Sequence, residues 1–383
     1  MTPPLLQSKL PNIGATIFTT MSQLAQEHGA INLSQGFPDF GCAPELLDLA
    51  NQAMQNGYNQ YAPSSGLPLL RQQISKKTEQ LYGYTANADT QITVTSGATE
   101  ALFAAISAVV RPGDEVIILE PSYDSYVPAI DLNGGVPVFV PLTFPEFAID
   151  WQKVKDKLSS KTRLLILNSP HNPSGAILTP SDLQFLKELT QEHPFLIISD
   201  EVYEHMVFDG KKHLSLLTEP ELAERAFVIS SFGKTFHTTG WKVGYCIAPP
   251  ALTTEFRKIH QYLTFCTATP FQQAIGQYLE NPEPYLTLPQ FYQQKRDLFA
   301  ELLKPSKFEL IPCAGTYFQL ARYNQISDLP EVEFAQWLTK EAGVAVIPVS
   351  VFYHDQTDHR LVRFCFAKKE ETLQAAAERL CKL

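Results

Sequence analysis

The sequence predicts an α/β protein: a mostly parallel sheet covered on both faces by helices, carrying a smaller α+β unit toward its C-terminal end. Three observations carry this. The chain has 383 residues, too many for one simple core and suited to two domains. Its middle repeats a unit in which a short apolar run ends in a polar cluster and an amphipathic helical stretch follows. After about residue 285 that texture gives way to mixed helix and strand patterns.

Taken in order, ITV (92–94) ends in TSGAT and leads into the helical EALFAAISAVV. VIIL (116–119) ends in EPSY, LLIL (164–167) in NSPHNP, FLIIS (195–199) in Asp200-Glu201, and AFVIS (226–230) in SFGK. Near-continuous apolar strands alternating with helices form parallel sheets buried on both faces. Ligands of such sheets bind beyond the carboxyl ends of the strands, so these polar clusters converge on one pocket. Farther on, FYQQKRDLFAELL reads as a helix, GTYFQLA as a strand, and EVEFAQWLTKEAG as a helix stopped by Gly343. VAVIPVS and LVRFCFA read as strands, and EETLQAAAERLCKL as a closing helix. Residues 1–44 are thus expected to form an N-terminal arm and part of the small domain, 45–285 the large domain and 286–383 the C-terminal small domain. The Pro-rich stretch 281–284 is a hinge or helix break.

Composition narrows the class. At 44% hydrophobic and 18% charged residues the chain is a compact globular enzyme rather than a disordered one. A net charge of −10 argues against nucleic acid or an anionic membrane as partner. Cys42, Cys246, Cys266, Cys313, Cys365 and Cys381 form no C-x-x-C pair, so buried, reduced thiols are expected and no metal site. The N-terminal stretch MTPPLLQSKLPN lacks the apolar run of a signal peptide, and no apolar stretch reaches transmembrane length. A cytoplasmic protein is expected.

Several residues stand out chemically. Lys234, in SFGKT past a buried strand, is either a solvated surface lysine or an amine at a site. Its Gly-Lys-Thr is not the tail of a P-loop, because the position five before Gly233 holds Val228 rather than glycine. Asp200 closes an apolar run, where a charge needs a cationic partner, although it also suits a helix N-cap. Residues 95–99 form a small-residue turn into a helix, a setting that favours phosphate, with Lys242 able to add countercharge. Tyr123 serves either as core or as a platform for a flat ring.

Together with NLSQGFPDF (32–40), NQYAP (59–63), EPSYDSY (120–126), NSPHNPSG (168–175), SDEVYEH (199–205), SSFGKTFHTTGWKVGY (230–245) and RFCFAKKE (363–370), these residues resemble the fold-type I aminotransferases. The likeness is to the branch that holds the methionine and kynurenine aminotransferases and glutamine transaminase K. It implies pyridoxal 5'-phosphate (PLP) as cofactor and a seven-stranded sheet in the large domain. It also implies transfer of the amino group of methionine and other large neutral or aromatic L-amino acids to a 2-oxo acid. The resemblance makes Lys234 the lysine that carries the cofactor and shuttles the proton, and Asp200 the partner of the ring nitrogen. Asn172 and Tyr203 would donate to the ring hydroxyl, Tyr123 would stack on the ring, and Gly97, Ala98, Thr99, Ser231 and Lys242 would hold the phosphate. Arg363, helped by Gly36 and Asn172, would bind the substrate α-carboxylate. Tyr61 would reach a neighbouring subunit's cofactor, which implies a homodimer. Two positions depart from relatives: Lys242 stands where the aspartate branch has arginine, and Phe18 where some relatives carry tryptophan, so Phe18 bears on the side-chain pocket. A carbon–sulfur β-lyase would use the same cofactor and is told apart by releasing pyruvate and ammonia without an acceptor. A transcription regulator with an aminotransferase-like domain would need a basic winged-helix module before residue 32, and none is visible.

Overall fold

The computed structural model describes residues 7–383. After helix Ile17–Glu27 the chain forms a two-residue strand, β1 (Ile31–Asn32), and two helices, Pro44–Gln55 and Pro68–Tyr82. It then builds the central sheet from β2 (Ile92–Thr95), β3 (Glu115–Glu120), β4 (Val136–Pro141), β5 (Thr162–Asn168), β6 (Leu196–Asp200), β7 (Ala226–Ser231) and β8 (Gly244–Ile247). Their spatial order is β2-β8-β7-β6-β5-β3-β4. The pairs among β3 to β7 are parallel, and β8 runs antiparallel between β2 and β7.

The apolar runs do what their composition requires. Along β5, Leu164 and Ile166 enter one core while Leu165 and Leu167 enter the other, so both faces are buried. Helices Gly97–Val109 and Pro250–Leu263 cover the first face through Leu102, Ile106 and Phe256. Helix Pro180–Glu192 packs Leu183, Leu186 and Leu189 on the other side. A capping box between Thr179 and Asp182 and a proline at the first turn start that helix, satisfying amides that have no intrahelical partner.

Beyond helix Leu288–Leu303, strands β9 (Glu309–Leu310), β10 (Phe318–Arg322), β12 (Ile347–Pro348) and β13 (Leu361–Cys365) form an antiparallel sheet in the order β12-β13-β10-β9. β11 (Val344–Ala345) pairs in parallel with β1 in a separate two-stranded sheet, which ties the N-terminal segment to the C-terminal part of the chain. Gly343 ends the preceding helical stretch at φ 70°, as its position predicts. The stretch 281–284 is a helix break: one helix ends at Tyr278 and the next begins at Glu283.

Two expectations need correction. Asp200 is no helix N-cap, because turns rather than a helix follow it. The thiols are all free, but Cys42, Cys266 and Cys381 are only half-buried, each lying outside the strands that bury Cys246 and Cys365. Among the described residues no helix is long and apolar enough to cross a membrane, and no cluster of ligating side chains could hold a metal ion.

Candidate active site

Strand register brings the polar clusters together. Asn168 at the end of β5 sits beside Asp200 at the end of β6, while Gly244 lies between Ser231 of β7 and Thr95 of β2. Above these ends lies a cavity of about 290 Å³.

One end of the cavity suits an anion. Gly97, Ala98 and Thr99 open helix Gly97–Val109 and line the cavity, and Ser96 provides no side-chain cap for the first-turn amides. Gly97 has φ 75°, and a Cβ there would stand 3.1 Å from the Lys242 Nζ, so glycine lets the ammonium close over the turn. A Cβ on Gly244 would meet the Ala98 nitrogen at 2.9 Å, so the second glycine lets β8 pack under the same turn. Ser231 lines this end too. Among the described residues Lys242 forms no ion pair with a carboxylate, so a phosphate fits the cradle.

The middle of the cavity holds a carboxylate and an amine. Asp200 is 3% exposed, accepts from the Tyr126 hydroxyl at 2.6 Å and from the Val202 amide at 3.4 Å, and has no ion-pair partner among the described residues. Burial pushes its carboxyl up to about 6, a state that a cationic ring nitrogen would relieve. Lys234 donates from Nζ to the Gly36 carbonyl at 3.0 Å and to the Tyr317 hydroxyl at 2.9 Å. Burial pulls its amine down to about 8, with Arg363 and Lys242 adding to the effect. An amine so placed spends part of its time neutral near pH 7, as a nucleophile and proton carrier must. The Tyr203 ring lies 5.7 Å from Nζ, and Tyr123 lines the cavity beside it.

At the far end, Arg363 is 1% exposed and sandwiched by aromatic rings, with Phe318 3.9 Å and Phe18 5.3 Å from its Cζ. It donates to Asn172 Oδ1 at 2.7 Å and to the Ser34 carbonyl at 3.2 Å, while its Nε has no partner among the described residues. Among the described residues this buried guanidinium is held by neutral acceptors, a setting that suits a carboxylate. Asn168 links this end to the middle: its Nδ2 donates to the Asp200 carbonyl at 2.9 Å and its Oδ1 accepts from the Asn172 amide at 2.8 Å.

The cavity therefore gathers Lys234, Asp200, Tyr203, Gly97, Ala98, Thr99, Tyr123, Asn172, Ser231 and Lys242, together with Phe18, Gly36 and Arg363. Tyr61 lies apart from it and is 82% exposed. Sequence reasoning missed Asn168, Tyr126 and Tyr317. Asn168 ends an apolar strand as Asp200 does, a signal the sequence offers, whereas nothing in the spacing of Tyr126 or Tyr317 sets them apart from other tyrosines.

The family model for aminotransferase class I and II matches residues 28–380. The methionine aminotransferase of Escherichia coli is 55% identical over 382 residues, covering 100% of this chain and 99% of that protein. Human kynurenine–oxoglutarate transaminase 3 is 35% identical, covering 97% of this chain and 88% of its own length. Among solved structures, an Escherichia coli protein identified with a methionine aminotransferase function gives a TM-score of 0.97 at 55% identity, with 100% of both chains covered. The N-succinyldiaminopimelate aminotransferase of Mycobacterium tuberculosis gives 0.95 at 38% identity, covering 98% of this chain and 99% of that one.

Proposed function

The chain belongs to the aminotransferase class I and II family, and from that premise we propose that it moves the amino group of methionine and other large neutral or aromatic L-amino acids to a 2-oxo acid. It is a PLP-dependent enzyme, and the residues in its cavity fit that cofactor. In our reading the first-turn amides of Gly97, Ala98 and Thr99, the Ser231 hydroxyl and the Lys242 ammonium hold the phosphate. Asp200 keeps the ring nitrogen protonated, Asn172 and Tyr203 donate to the ring hydroxyl, and Tyr123 covers the ring face. Bound there, the cofactor supplies the electron sink that makes the substrate Cα proton removable. Lys234 would hold the cofactor and would move that proton, while Arg363 would orient the α-carboxylate with Asn172 and Gly36. The reading divides the chain at 44 and 285 and makes the active unit a homodimer, with Tyr61 serving the neighbouring subunit.

One observation carries the substrate class. The cations lining the cavity are Lys234, Lys242 and Arg363, and each has a task, so none remains for a second carboxylate. The remaining wall includes Phe18, Phe37, Leu102 and Phe318. An unpaired carboxylate against that wall costs roughly several kcal/mol, whereas a thioether or ring gains from contact. The methionine aminotransferase that is 55% identical acts on a side chain of this kind. The test compares kcat/KM for methionine, phenylalanine, glutamine and aspartate with one shared acceptor. Methionine and phenylalanine are expected to exceed aspartate by about 100-fold or more, and equal values would overturn the proposal.

A further inference from the structure

We propose that Tyr317 is a further catalytic residue of this enzyme: its hydroxyl, paired with the Gly36 carbonyl, holds the free amine of Lys234 aimed into the cavity during proton transfer. The inference rests on the reading of Lys234 given above.

The geometry is built from three parts of the chain. Gly36 comes from the N-terminal segment, Lys234 follows β7, and Tyr317 precedes β10. The Gly36 carbonyl can only accept, so the Tyr317 hydroxyl, which bonds to it, must be the donor there. That leaves the tyrosine oxygen as an acceptor for Lys234 Nζ, at 2.9 Å, while Nζ reaches the Gly36 carbonyl at 3.0 Å. Two substituents of the nitrogen are thereby fixed on one side. The third position, lone pair in the neutral amine and N–H in the ammonium, is left for the cavity that Lys234 lines. The amine takes one proton from substrate carbon through that position and returns one proton to carbon through it, so the chain ends each half-reaction unchanged and no electron is exchanged with it.

The local sequence holds the hydroxyl in place. Gly315 packs where a Cβ would lie 2.7 Å from Pro170 and 2.8 Å from the Met206 carbonyl, and Thr316 adopts φ 66° with its amide on that carbonyl. The Tyr317 carbonyl accepts from the Phe366 amide at 3.0 Å, and its fully buried ring meets Tyr203 edge-on at 5.1 Å. Gly36 can approach because a Cβ there would stand 3.0 Å from the Phe318 ring. A flexible lysine placed between two fixed oxygens loses most of its orientational freedom before the reaction begins.

The experiment removes the one oxygen with Tyr317→Phe and uses Tyr292→Phe as its control. Tyr292 lies in the same aromatic cluster, 5.6 Å from Tyr317 between ring centroids, and its buried hydroxyl has no partner among the described residues. Two quantities are measured. In the cofactor-free protein, acetylation of Lys234 by acetic anhydride is followed across pH by peptide mass, which gives the midpoint of the amine's titration. In the holoenzyme, the rate of the first half-reaction with methionine is measured in single turnovers. Loss of an acceptor for the ammonium should move the Lys234 midpoint of Tyr317→Phe down by about one pH unit. Loss of aim should slow the half-reaction on the order of 10- to 100-fold. Tyr292→Phe should change neither. A purely structural role would lower the melting temperature or cofactor affinity without moving the midpoint. The proposal is overturned if Tyr317→Phe keeps either the wild-type midpoint or the wild-type rate, or if Tyr292→Phe reproduces both changes. Near-normal turnover in Lys234→Ala would instead overturn the reading of the lysine itself.

Discussion

A single carboxylate sets the balance between stability and chemistry in this cavity. Asp200 has its folded pKa raised by burial from 3.8 to about 6. By linkage, such a group favours the fold while protonated: its contribution is complete below about pH 3.8 and is lost as pH rises through about 6. At neutral pH the cofactor-free chain therefore carries a penalty on the order of 3 kcal/mol that a neutral isostere would not. Asp200→Asn is expected to melt higher than wild type at pH 7 when both lack cofactor, with the gap closing toward pH 4. The same variant should lose at least about 100-fold in transamination, because the amide cannot hold the ring nitrogen protonated. Melting curves of cofactor-free protein across pH check the first half, and coincident curves at pH 7 would refute it. Asp200 was legible in the sequence because a charge that closes an apolar run needs a reason. Tyr126 and Tyr317 were not, because their hydroxyls meet Asp200 and Lys234 across 74 and 83 residues of chain.

Among the elements, helix Gly97–Val109 does most to shape the anionic end, and its first turn is braced from behind. Glu100 accepts from the Ser96 amide at 3.0 Å and pairs with His260 Nδ1 at 2.9 Å, while His260 Nε2 meets the Ser64 carbonyl at 2.7 Å. The Glu100 carboxylate and the Ser64 carbonyl both accept, one at each ring nitrogen, an arrangement that favours the doubly protonated, cationic ring. Burial and Arg257 work to lower its pKa, but the hydrogen bond and charge of Glu100 outweigh them and hold it raised. The sign is opposite to the usual carboxylate case: this contribution is complete below the unfolded value of 6.5 and is lost as pH rises through the folded one. His260→Ala should destabilise the protein by about 3–5 kcal/mol in urea unfolding at pH 6, since it leaves Glu100 buried alone. Wild-type stability should fall above pH 7 in a way that the variant's does not, and parallel profiles would show that the pair is neutral. The sequence made β2, β3, β5, β6 and β7 visible as apolar runs. It hid β4 and β8: β4 carries prolines at 137 and 141 and lies half-exposed at the sheet edge, where proline is tolerated. β8 begins on Gly244 just after a turn and stops short of Pro249, and glycine and proline mark turns rather than strands.

For the whole molecule, the feature that one chain leaves unexplained is an apolar surface near residues 58–65. Tyr61 is 82% exposed and Tyr262 92%, and Phe265, held at φ 67°, meets the Tyr61 ring edge-on at 5.0 Å. The segment is nonetheless fixed: Thr269 donates to the Gln60 carbonyl at 2.6 Å, and His260 holds Ser64. Aromatic rings presented to solvent from a hydrogen-bonded backbone suit an interface better than they suit a loose loop. No pattern within one chain says that Tyr61 serves a site elsewhere, which is why that role came from family resemblance alone. A homodimer sharing its active sites makes a prediction that a dimer with independent sites does not. Lys234→Ala removes the amine but leaves Tyr61 intact, and Tyr61→Ala removes the ring but leaves Lys234 intact. Each variant alone should be inactive or severely impaired. Unfolded together in equal amounts and refolded, half of the dimers should be mixed, and each mixed dimer should contain one site with both groups present. Activity should then return to roughly a quarter of the wild-type sites, the statistical value for a two-fold assembly. Light scattering on the same sample should give about twice the chain mass. If the mixture shows only the average of the two variants, each site is complete within its own chain, and Tyr61 acts, if at all, on the subunit that carries it.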